Sequence, residues 1–218
     1  MVNILALALA LPVLAVADGQ SLYRNVLTAT GQSVPYAVHL PPGFDADLSY
    51  PVLIGPGDAK KGSDPGFYWQ TEPHIAGWII VDAQLWEPET ARALDLILDA
   101  VIATYNVEGG KFHAVCWSAN SAAVFRLITE HAARFHSITG MAGSPQSVSD
   151  ADIAALQAVK VQFVVGENDR HWQSSARAAH EKLLAGGVDS VFEIVPKGEH
   201  VMTNLMGAPF ISKLEKLR

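Results

Sequence analysis

A single cysteine, Cys116, stands among 218 residues, so no intrachain disulfide can staple the fold. Basic residues are also scarce. Fifteen Lys and Arg face 22 Asp and Glu, a net charge of −7. Only Lys60 and Lys61 are adjacent. Nucleic acids and anionic membrane surfaces select dense positive charge, which this chain lacks. Charged residues make up only 17% of the chain and hydrophobic ones 50%. That balance excludes a disordered chain and allows one well-filled core. Internal repeats, low-complexity tracts and linker-like stretches are absent after residue 20.

Long apolar runs are absent too, with one exception. Residues 4–17 read ILALALALPVLAVA, a run of 14. A bilayer core takes roughly 20 residues, so the run is too short to span it. It ends in Ala15-Val16-Ala17, a small-x-small cleavage pattern, and polar Asp18-Gly19-Gln20 follow. This predicts a signal peptide over 1–17, a single domain over 18–218, a secreted or periplasmic location and no stable membrane span after signal removal. Its first three residues carry no Lys or Arg. A lone cysteine fits an exported protein that does without disulfides.

Alternation is what the remaining chain has in abundance. Short apolar runs recur at 36–40, 52–54, 78–81, 112–116, 138–142, 161–166 and 191–195, most of them beside Gly, Pro, Asn or Asp. They read as strands. Leu94, Ile97, Leu98, Val101, Ile102 and Tyr105 lie on one face of a helix. Residues 119–133, 174–185 and 211–217 also read as helices, the second closed by Gly186-Gly187. Alternating strands and helices predict an α/β fold, a mostly parallel twisted sheet with helices on both faces. The first two runs have only a turn-rich stretch between them and are expected to be antiparallel neighbours.

Sites in such sheets lie at the carboxyl ends of the strands. Ser118 follows the run at 112–116. Asp169 follows 161–165, and His200 follows 191–195. A serine hydroxyl is a weak nucleophile until an imidazole takes its proton. The imidazole in turn needs a carboxylate to fix its tautomer and steady its charge. Ser, Asp and His in this chain order are the arrangement of the α/β-hydrolase triad.

Four segments carry a resemblance to the α/β-hydrolase superfamily. They are YAVHLPPGFDADLSYPVLIGPGD, KFHAVCWSANSA, VQFVVGENDRHW and PKGEHVM. The chain from about Tyr36 onward resembles its compact esterases: carboxylesterases and acyl-protein thioesterases, and the polyhydroxybutyrate-depolymerase-like group. The resemblance implies an α/β-hydrolase fold without a lid domain and a serine esterase that cleaves carboxylic esters through an acyl-enzyme. Ser118 would be the nucleophile, His200 the base and Asp169 its carboxylate. The oxyanion would be held by the N–H of Ala119 and that of Gly57 or Asp58. No cofactor is implied, and the substrate is a small-molecule or polymer-derived ester. Two departures stand out. The family's G-x-S-x-G reads Cys116-Trp117-Ser118-Ala119-Asn120. Its His-Gly-x-Gly-Asp reads Ile54-Gly55-Pro56-Gly57-Asp58, and Pro56 has no N–H to donate.

Other readings of the same residues stay open. Ser118 can also be a helix cap. Ser121 has small neighbours as well, and Glu167 is a second acid on the Asp169 loop. Asp189 precedes a strand instead of following one. His171 could line the same cleft. His131 and His136 are five apart, which does not set two metal ligands on one helix face. Trp69, Trp117 and Trp172 fall near strand ends and together could form an apolar substrate cleft. A hydrolase fold that binds a ligand without catalysis, or a serine peptidase, are the rival functions.

Overall fold

A computed structural model of the chain describes residues 19–55, 57 and 77–218. The expected signal segment lies outside the described residues, as do Pro56, Asp58 and Trp69. Among the described residues, eight strands form one sheet in the order β1-β2-β4-β3-β5-β6-β7-β8. They are β1 (Gln20–Leu27), β2 (Ser33–Leu40), β3 (Val52–Gly55), β4 (Ile79–Asp82), β5 (Phe112–Trp117), β6 (Phe135–Met141), β7 (Lys160–Gly166) and β8 (Ser190–Val195). The helices are α1 (Pro88–Arg92), α2 (Leu94–Thr104), α3 (Ser121–Glu130), α4 (Asp150–Ala155), α5 (Arg170–Ala185) and α6 (Ala208–Leu214). Only the β1–β2 and β2–β4 pairs are antiparallel. From β4 through β8 every pairing is parallel, so those strands end on one rim.

One expectation needs correction. β2 does not pair with β3; its partners are β1 and β4. β3 is buried at all four positions and takes parallel neighbours on both sides, β4 and β5. A hairpin partner would have displaced one of them. β1 itself was not expected. Its residues QSLYRNVL are mostly polar and exposed, as suits an edge strand.

Strand side chains alternate between two apolar layers. Ile54, Val81, Ala114, Cys116, Phe163 and Val165 point into the layer covered by α2, α3 and α5. Leu53, Ile80, Val115 and Val164 point the other way, toward Phe210, Ile211 and Leu214 of α6. The predicted helix stripe holds at Leu94, Ile97, Leu98 and Val101, which are buried, whereas Ile102 is partly exposed. α5 ends in a Schellman motif: the N–H of Gly187 bonds to Leu184 O and that of Val188 to Leu183 O, both at 3.0 Å. Only Gly187 of the glycine pair takes a positive φ, 83°. Among the described residues, no helix is long and apolar enough to cross a membrane.

Two glycines let the last loops meet. A Cβ on Gly166 would lie 2.3 Å from Glu199 O and 2.5 Å from Gly198 O. A Cβ on Gly198 would lie 2.9 Å from the Cα of Gly166. Backbone therefore packs on backbone where β7 ends and the loop after β8 crosses it. Gly166→Ala must push that loop away. We expect it to cost about 1–3 kcal/mol, as other overpacked positions do, measured by urea unfolding.

His113 is a buried histidine held away from the rim. Its Nδ1 lies 2.8 Å from Ser137 Oγ, and the Trp78 ring stands 5.0 Å off, edge to face. Burial, then the nearby charges of His136, Arg218 and Lys160, push its pKa down to about 3. An unfolded histidine titrates near 6.5. Between those values the unfolded chain binds a proton that the native chain refuses. The stability linked to His113 is complete above about pH 6.5 and is lost as pH falls toward about 3. Denaturation midpoints across that window should fall more steeply for the wild type than for His113→Gln. The difference in slope should reach at most about 1.4 kcal/mol per pH unit.

Candidate active site

Ser118 sits where β5 turns sharply into helix. Trp117 is extended, with φ −140° and ψ 135°. Ser118 itself has φ 54°, a left-handed backbone that a residue with a Cβ rarely adopts. The next residues form a 3₁₀ turn, Ser118–Asn120, that runs directly into α3. A strained serine between strand and helix lifts its hydroxyl off the rim and sets the first helical N–H groups beside it. Ala119 is the residue that follows in that turn. Asn120 has φ −70° and ψ −17°, ordinary helical backbone. The position where the family pattern has its second glycine therefore demands no glycine here. Cys116, at the first, is fully buried, and burial pushes its thiol up to about 12, so it packs and does not react.

The three candidate residues come together. Ser118 Oγ lies 2.8 Å from His200 Nε2. His200 Nδ1 lies 2.7 Å from Asp169 Oδ2. A carboxylate can only accept, so His200 Nδ1–H donates to Asp169. In the neutral ring Nε2 is then left to accept from the Ser118 hydroxyl. The Asp169 side chain is 9% exposed and that of His200 40%. Asp169 also caps α5, its other oxygen accepting from Trp172 N–H at 3.4 Å. The predicted helix at 174–185 thus begins four residues earlier, on the acid itself.

The rivals fall elsewhere. The Ser121 side chain is fully buried, and the backbone at Gly143 presses on it. Glu167 is engaged with the loop beside His200, its Oε2 accepting from Lys197 N–H at 2.6 Å. His171 is exposed and sits edge-on to Trp172 at 5.3 Å. Trp117 and Trp172 both stack with the His200 ring, at 5.6 and 6.4 Å between centroids. Both indoles thus flank the imidazole.

Gly57 leaves β3 on the same rim and is buried. It packs so closely on the Asp82 carboxyl that a Cβ there would lie 1.9 Å from Asp82 Cγ. Asp82 in turn bonds His39 Nε2 at 3.1 Å, and His39 Nδ1 bonds Ser21 Oγ at 2.8 Å. No sequence motif marked His39 or Ser21, because Ser21, His39 and Asp82 meet only once β1, β2 and β4 pair side by side. A separate cavity of about 320 Å³ lies between α3 and α4, lined by Phe125, Arg126, Pro145, Val148 and Leu156 among others. None of the three rim residues lines it. Among the described residues, no group of three or more His, Cys, Asp or Glu is placed to hold a metal.

No protein-family model and no curated protein matches the chain. Solved structures do. A thermostable esterase aligns with a TM-score of 0.61 at 14% identity, over 90% of this chain and 59% of its own. A CE1 ferulic acid esterase from the anaerobic fungus Anaeromyces mucronatus, without substrate, aligns at 0.64 and 13%, over 92% and 91%. The AtxE2 isopeptidase in its apo form aligns at 0.67 and 10%, over 93% of this chain and 40% of its own. The chain thus spans less than two thirds of the first and last of these and nearly all of the second. It has the α/β-hydrolase fold, a mostly parallel eight-stranded sheet with helices.

Proposed function

We propose that this protein is a serine hydrolase of carboxylic esters. The observation that carries the reading is the unbroken line of hydrogen bonds from Ser118 through His200 to Asp169, 2.8 and 2.7 Å long. In this reading the Ser118 oxygen attacks the ester carbonyl while its proton passes to His200 Nε2. Asp169 steadies the imidazolium, and the N–H of Ala119 holds the oxyanion at the start of the helix. A second donor comes from Gly57 or Asp58. His200 then gives its proton to the departing alcohol, leaving an acyl-enzyme. Water, deprotonated by the same ring, frees the acid and restores Ser118. Trp117, stacked at 5.6 Å, supports the charged imidazole with its π-face.

The esterase neighbours favour an oxygen ester over an amide. The isopeptidase neighbour shows that the same fold also carries amide cleavage, so both bonds are worth offering. Purified protein should release p-nitrophenol from p-nitrophenyl acetate in a burst. A fluorophosphonate should label Ser118 and no other residue, read by peptide mass. Ser118→Ala should lose about 10⁴–10⁶-fold in kcat, and Asp169→Asn about 10⁴-fold with the fold intact. Unlabelled Ser118 would instead favour a ligand-binding protein on this fold. Equal rates on matched ester and amide substrates would favour a peptidase.

A further inference from the structure

Ser21, His39 and Asp82 make a second Ser–His–Asp line in this molecule. Its order in space is Ser21 Oγ to His39 Nδ1, 2.8 Å, and His39 Nε2 to Asp82 Oδ2, 3.1 Å. Asp82 accepts from Nε2–H, so Nδ1 of the neutral ring accepts from the Ser21 hydroxyl. Asp82 is 0% exposed and His39 3%, whereas Ser21 reaches the surface. The line crosses three neighbouring strands. Ser21 faces His39 in the β1–β2 register, and Asp82 ends β4 beside Gly55 of β3.

Ser21 is poorly placed to be a second nucleophile. It lies in the middle of an extended pairing on an edge strand, and no helix starts there to offer oxyanion donors. What the line does reach is the backbone of Gly57. The Asp82 carboxyl occupies the space a Gly57 side chain would take, with Oδ1 2.0 Å from that Cβ position. Ala83 N–H, the next residue, bonds Gly55 O at 2.9 Å. The carboxyl is therefore wedged between β4 and the chain leaving β3. Its own position is set by His39, whose ring is set by Ser21. β3 is the parallel neighbour of β5, so this chain leaves the sheet next to Ser118.

We propose that Asp82 and His39, anchored by Ser21, are positioning residues that seat the Gly57 backbone for oxyanion stabilisation at Ser118. This rests on the hydrolase reading above. A buried carboxylate is costly unless partnered, and one wedged under a strap resists displacement of that strap. With Pro56 unable to donate, the seating of Gly57 decides whether its N–H faces the oxyanion.

The test uses the whole chain and three variants: Asp82→Asn, His39→Gln and Ser21→Ala. In the first two, kcat for p-nitrophenyl acetate should fall by about 10- to 100-fold while KM stays within about threefold. Phenylboronic acid, whose tetrahedral adduct places an oxygen where the oxyanion forms, should weaken by a similar factor. Ser21→Ala is a surface change that keeps the fold, and it should show the same split at roughly two- to fivefold. Amide exchange at Gly57, followed by NMR, should accelerate about tenfold or more in Asp82→Asn. A folded Asp82→Asn or Ser21→Ala with unchanged kcat, unchanged boronate affinity and unchanged Gly57 exchange would overturn the proposal. So would a lower melting temperature with those three readouts unmoved, or fluorophosphonate found on Ser21. A wild type that hydrolyses no ester would sink the hydrolase reading, and Gly57 exchange would then decide the seating of the strap by itself.

Discussion

His200 reaches both of its partners only because two backbones touch. Gly166 ends β7 and Gly198 lies in the crossing loop, and neither position has room for a Cβ. Asn168 N–H bonds Gly198 O at 2.8 Å and ties the two loops again. With the loops at this separation, an imidazole from one and a carboxylate from the other meet at 2.7 Å. A loop displaced by the width of a methyl group would stretch that bond beyond useful length, since hydrogen bonds weaken steeply with distance and angle. The Ser118–His200–Asp169 geometry therefore depends on packing that is itself chemically inert.

Ser118 meets the same ring from the opposite side of the rim by a different device. Its left-handed backbone is a local strain of order 1–3 kcal/mol. The strain persists because β5 lies in the centre of the sheet and α3 is packed into the larger core, so both ends of the turn are held. Parallel strands make this economical. Six of them end on one edge, and each can deliver one side chain to a common place with no loop longer than the sheet requires.

Much of this was legible in the residues. Parallel core strands are short apolar runs because both faces are buried, so β3 to β8 announced themselves within a residue or two, apart from the earlier start of β6. Ser118, Asp169 and His200 were singled out by position at strand ends, and their side chains do lie within hydrogen-bond reach of one another. Three things were not legible. β1 is polar along most of its length, because one side of an edge strand needs no burial. α4 is short and its signal is a cap: Ser149 and Asp152 bond reciprocally in a capping box, a pattern present in the sequence but not backed by an apolar stripe. The pairing of β2 with β4 is set by which strands are buried on both edges, and no local pattern records that. His39 and Asp82 were hidden for the same reason. Each looks like a polar residue in or beside an apolar strand until the sheet order is known.

Three histidines show how far environment alone can divide one side chain's work. His113 is 2% exposed, has a hydroxyl partner and cationic neighbours, and is driven toward the neutral form. His39 is nearly as buried at 3%, but it lies against a carboxylate and is fixed at both nitrogens, so it can transmit position but has no access to substrate. His200 alone combines a carboxylate, a hydroxyl and 40% side-chain exposure. A base in catalysis must gain and lose a proton in each cycle. It therefore needs a partner for its charged form and an open face toward the reacting atoms. Of these three, only His200 has both, so the same residue type is structural at two places in this sheet and, in the proposed reading, catalytic at the third.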